Sequence, residues 1–136
     1  MSEDSVRVAA IILIVIPTVE IGGLALLQMI TRRDPGYLEN PVRRPLFRAG
    51  HAHAGVWLIL ALVGLLYVDQ ADLSDTLKQL VRWGFAAGPI LMPLGFFLSI
   101  IPPRAERPNA VLSLVLLGAL SLAFATVTLG IGLLRA

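Results

Sequence analysis

No cysteine occurs in this chain of 136 residues, which excludes disulfides, thiolate metal sites and a cysteine nucleophile. Charge is scarce. Only 15% of residues are Asp, Glu, Lys or Arg, and these cluster between long apolar runs. The net charge of +2 is too small, and its arginines too localised, to point to nucleic acid as a partner. The sequence has no GxSxG, no HExxH, no P-loop and no aspartate-rich metal motif. Ser99, Ser113 and Ser121 lie in apolar stretches without an adjacent base, so ordinary hydrolase or transferase chemistry is not expected. The apolar runs lack period-two alternation and are too few and too long for the strands of a barrel. The start, "MSEDSVRVAA", lacks the basic region and short apolar core of a cleaved signal peptide, and is expected to belong to the mature protein.

What the chain does have is apolar length. Hydrophobic residues make up 57% of it, and the mean hydropathy is +0.82. Four segments stand out, at about 6–30, 49–68, 81–101 and 109–134, each about 20 residues or more and long enough to cross a hydrocarbon core of roughly 30 Å as a helix. The expected fold is all-α: one integral membrane domain over 1–136, a left-handed bundle of four transmembrane helices that reads as two tandem hairpins.

The loops set the orientation. Seven arginines lie in the first and third loops (Arg32, Arg33, Arg43, Arg44, Arg48, Arg104 and Arg107), against Arg7, Lys78, Arg82 and Arg135 on the other side. This bias predicts a bacterial plasma-membrane protein with arginine-rich loops in the cytoplasm and both termini outside. Tyr67 and Trp83 flank the other loop as interfacial aromatics, and "LSDTLKQLVRW" within it is expected to lie along the surface.

Small residues recur at steps of three and four on three segments: Gly50, Ala54, Ala61 and Gly64; Gly84, Gly88, Gly95 and Ser99; Gly118, Ser121, Ala125, Thr128 and Gly132. In lipid such stripes mark close helix packing, and a spare stripe would serve a homo-oligomer or a larger membrane complex. Pro17, Pro89 and Pro93 each remove a backbone hydrogen bond, more often to shape a bundle than to line a cavity.

Candidate polar sites are few. Glu20 is the one acidic residue well inside an apolar span, about 15 Å from the nearer helix end, and is expected to face the bundle interior, be protonated or have a partner. His51 and His53 are the only histidines. On a helix they point roughly 200° apart and cannot share one ion. His53, on the face of Gly50 and Trp57, is the expected inward-pointing one. Counted from a helix starting near residue 49, His53 lies roughly 7 to 9 Å shallower than Glu20, beyond metal-ligand reach but within range of a water-linked proton path.

The stretch "RAGHAHAG", Arg48 to Gly55, resembles a histidine-bearing helix of haem–copper oxidase-like membrane proteins. The resemblance implies a haem b held by His51 or His53; Met29 near the same end of the first helix is a candidate second ligand. That family has many more helices and histidines, and a copper site that two histidines cannot build. The five arginines of residues 32 to 48 (Arg32, Arg33, Arg43, Arg44 and Arg48) suit anionic lipid headgroups or an acidic partner.

These features lead to the expectation of a small non-enzymatic membrane protein that binds or conducts a proton, ion or small solute through Glu20, His51 and His53. A haem- or metal-binding redox protein and an accessory subunit of a larger complex are the alternatives.

Overall fold

The computed structural model describes residues 1–136. It contains helices and no strands: α1 (Glu3–Thr31), a one-turn α2 (Pro35–Leu38), α3 (Arg43–Val68), α4 (Asp75–Leu98) and α5 (Ser113–Arg135), the last preceded by a 3-10 turn at Ala110–Leu112. The spans Glu3–Thr31, Arg43–Val68, Asp75–Leu98 and Ala110–Arg135 are all long and apolar enough to cross a bilayer, consistent with an integral membrane protein.

Local chemistry fixes the helix ends. Ser2 caps α1, its Oγ accepting from the Ser5 N–H, and Ser74 caps α4 by accepting from the Leu77 N–H. α1 closes with paired bonds from the Asp34 N–H to the Met29 carbonyl and from the Arg33 N–H to the Ile30 carbonyl, the pattern of a Schellman turn. Arg33 takes the left-handed position there, at φ 52°, which glycine usually occupies. Asn40 ties the two basic loops together. Its Oδ1 accepts from the Val42 and Arg43 N–H groups at 2.9 and 2.8 Å, and its Nδ2 donates to the Pro103 and Ala105 carbonyls at 3.0 Å each.

Two helix starts differ from expectation. α3 begins at Arg43, six residues before the apolar run, because Asn40 satisfies its first N–H groups and Pro45 falls in the first turn, where no N–H is needed. The "LSDTLKQLVRW" stretch is not a separate surface helix. Ser74 starts α4 at Asp75, so these residues are its first turns.

α4 and α5 pack most extensively, then α3 against α4; α1 rests mainly on α3, and α1 and α5 do not approach each other. The small-residue stripes are used within the chain. A Cβ on Gly88 would run into the Leu122 side chain, one on Gly84 would come within 3.0 Å of the Ala125 Cβ, and one on Gly64 within 2.5 Å of the Phe85 ring. None of the three stripes is left over. Gly55 and Gly130, by contrast, face open space. The main core runs from Val8 and Ile12 of α1 through Leu65 and Phe85 to Ala125, and a smaller cluster of Leu26, Tyr37, Phe47 and Ile100 closes the arginine-rich end.

Candidate functional site

α1 leans on α3 along one edge and meets α4 only lightly, so a cleft opens between these three helices. Its volume is about 380 Å³, within the range of small-molecule sites. Val15, Val19 and Leu26 of α1, Ala54 and Leu58 of α3, and Leu94 and Phe97 of α4 make its walls apolar. Pro89 and Pro93 also line it, so the prolines of α4 do shape a cavity, whereas Pro17 points outward. Two polar side chains line the cleft, Thr18 and His51, and the Thr18 hydroxyl is engaged with the Val15 carbonyl at 2.7 Å. His51 is the only ionisable side chain lining it.

Glycines let His51 in. A Cβ on Gly23 would stand 3.0 Å from His51 Cε1 and 3.2 Å from Nε2, and one on Gly22 would stand 3.8 Å from Nδ1. The imidazole therefore lies against bare backbone of α1, half-buried, with Met29 in the same lining. His53, two residues and about 200° further round α3, faces elsewhere. Its ring packs 5.2 Å from Phe96 and 6.2 Å from Trp57, and its Nδ1 lies 2.7 Å from the Ala49 carbonyl. A carbonyl can only accept, so that nitrogen carries the proton and donates. His53, the histidine expected to point inward, thus turns to α4 with Gly50, half-buried, while the histidine that lines the cleft is His51. The two point apart, as helical geometry requires.

Glu20 is exposed on the outward arc of α1, with Leu13, Pro17, Leu24 and Leu27. It is not among the residues lining the cleft, and it forms no ion pair or hydrogen bond with another side chain. Of the three alternatives expected for it, an interior-facing carboxylate is not the one that forms, for a rotational reason. At about 100° per residue, Gly22 and Gly23 lie 200° and 300° on from Glu20, so the face that meets His51 turns the carboxylate away. The depth estimate for His53 also changes, because α3 begins at Arg43 and not near residue 49: His53 lies about 15 Å inside its helix, as Glu20 does. Contact with Gly22 and Gly23 puts His51 within two or three residues of the level of Glu20, about 3 to 5 Å along the axis. Direction, not depth, separates them. No three His, Cys, Asp or Glu side chains come together anywhere in the chain.

The arginines divide. Arg43 is held inside the fold, donating to the Gly36 carbonyl at 3.2 Å and lying 4.7 Å over the Phe47 ring. Arg32, Arg33, Arg44 and Arg48 are exposed. Arg82, which the loop count treats as one more surface cation, is buried. Its guanidinium pairs with Asp69 at 2.6 Å and donates to Ser5 and Ser2 at 2.9 and 3.1 Å, joining the start of α1 to the end of α3 and to α4. Burial would push the Asp69 carboxyl up. The Ser2 backbone N–H, the Arg82 guanidinium and the Ser2 and Ser5 hydroxyls outweigh it and hold the carboxyl well below the usual carboxylate range. The one sequence signal for this cluster is an arginine inside an amphipathic run, two residues after Leu80.

Compared with protein-family models, curated proteins and solved structures, the chain matches none.

Proposed function

We propose that this is an integral membrane protein that takes the acyl chain of a lipid from the bilayer into the α1–α3–α4 cleft and holds a polar group of that lipid at His51. The observation that carries the reading is the single ionisable side chain in a largely apolar cavity, seated against Gly22 and Gly23. A neutral imidazole offers one donor and one acceptor, enough to orient a carbonyl, hydroxyl or phosphate without the cost of burying a fixed charge. Binding, not conduction, is what the arrangement favours, because Glu20, His51 and His53 face three different ways and form no file.

Photolabelling tests it. A phospholipid bearing a diazirine in its acyl chain, reconstituted with the protein and irradiated, is expected to label Leu26, Ala54 and Leu58 more than outward residues such as Leu24 and Leu120. Labelling of the cleft no stronger than that of Leu24 and Leu120 sinks the proposal. A second reading, haem b, is favoured by one observation: His51 and Met29 line the same cleft. If it held, His51 and Met29 would hold the haem, which would supply redox chemistry there. Protein purified from haem-replete cells would then carry a Soret band that His51→Ala removes and His53→Ala does not.

A further inference from the structure

A second groove borders the cleft at the arginine-rich end. A groove of about 490 Å³ lies between α1, α2 and α3, lined by Leu26 and Ile30, by Tyr37 and Leu38, and by Arg44, Arg48 and His51. Leu26 and His51 also line the apolar cleft, so the two spaces adjoin. Arg44, Arg48 and His51 stand four and three residues apart on α3, which puts all three on one helix face. No acidic residue lines the groove. The cations are also free to act: no hydrogen bond or ion pair engages the guanidinium of Arg44 or Arg48, whereas that of Arg43 beside them is tied to Gly36 and Phe47.

Polarity thus changes between the two bordering spaces, from two exposed guanidinium groups at the basic end, past an imidazole that lines both, to an apolar slot between helices. We infer that the occupant is an anionic phospholipid, its phosphate on Arg44 and Arg48, the ester carbonyl of one acyl chain at His51 and the rest of that chain in the α1–α3–α4 cleft. The inference rests on the proposed binding function and names its ligand class. Guanidinium groups suit phosphate oxygens because several N–H donors meet them at once. A zwitterionic headgroup offers the same phosphate, but its ammonium meets two arginines with no carboxylate nearby to receive it. Charge complementarity therefore selects the anionic lipid. A soluble phosphate compound would leave the apolar slot without a partner.

The test compares diazirine-chain phosphatidylglycerol with diazirine-chain phosphatidylcholine at equal mole fraction in vesicles holding the full chain. Labelling is read at Leu26, Ala54 and Leu58 and normalised to Leu24. Phosphatidylglycerol is expected to label the cleft on the order of tenfold more. Arg44→Gln with Arg48→Gln should abolish that preference while phosphatidylcholine labelling stays. Arg104→Gln with Arg107→Gln, which alters cations of the same end that lie outside the groove, should leave the preference intact. Equal labelling by both lipids, with the cleft still above Leu24, overturns this inference and leaves the proposed function standing. Loss of preference in both double variants alike also overturns it, since diffuse charge would then suffice. No enrichment of the cleft over Leu24 with either lipid removes the proposed function itself.

Discussion

Individual side chains in this protein matter chiefly through the backbone they are allowed to approach. Gly23 is the clearest case, since a Cβ there would stand 3.0 Å from the His51 ring. Gly23→Leu is expected to push the imidazole from its seat into the cleft, so cleft photolabelling should fall to the level of Leu24 while helicity is unchanged. Arg33 carries the opposite lesson. Its φ of 52° is a conformation that costs a residue with a Cβ about 1 kcal/mol, and glycine nothing. Arg33→Gly should therefore raise thermal stability in detergent by about 1 kcal/mol. Unchanged or lower stability would show that the side chain contributes contacts of its own. Glu20 was readable as an anomaly but not as a direction. A carboxylate in an apolar run predicts that something must be satisfied, yet the face it occupies depends on which residues of α1 meet α3. That choice is made by Gly22, Gly23 and His51, three residues that signal nothing unless their contact is known.

At the level of helices the packing follows the small residues, and this part was legible. Period, length and the glycine stripes gave four helices and the faces by which α4 meets α5 and α3 meets α4. Helix starts were less legible, because they depend on single capping groups: Asn40 for α3 and Ser74 for α4 lie outside the apolar runs that mark the spans. The cleft was not legible. It exists because α1 leans on one neighbour, and no residue pattern states how far apart two helices sit. The stripes yield a paired prediction. Gly88→Ala has to push the buried Leu122 side chain aside and should destabilise the bundle by about 1–3 kcal/mol. Gly130→Ala meets no atom within 4 Å and should be neutral or stabilise by up to about 1 kcal/mol. Thermal unfolding in one detergent checks both, and similar shifts for the two variants would contradict the packing.

For the molecule as a whole, α1 is the lightly held element, fastened at its two ends. At the end near the termini the fastening is the Asp69–Arg82 pair with Ser2 and Ser5; at the basic end it is α2 and the Leu26–Tyr37–Phe47 cluster. Between them the cleft can stay open. Removing Arg82 leaves Asp69, whose side chain is 23% exposed, without its cation, and Arg82→Met should cost about 3 kcal/mol, the low end for a buried pair. The pH dependence has a definite sign. Because the folded pKa of Asp69 is lowered, the pair's contribution is present above the ordinary carboxylate value and is lost as pH falls towards the folded one. The stability gap between wild type and Asp69→Asn should be constant from about pH 7 to 5 and narrow below about pH 4. A gap that widens in acid would contradict the assignment.

The most direct test of the account uses the two histidines, which give only two imidazole signals in a protein labelled at histidine. NMR of the detergent-solubilised chain, with His53→Gln to assign the peaks, would follow both rings as membrane lipid extract is added. The account predicts a saturable shift of the His51 ring, in the cleft, with the His53 ring, bonded to the Ala49 carbonyl, unmoved. A shift of His53 alone, equal shifts of both, or no shift of His51 would contradict it.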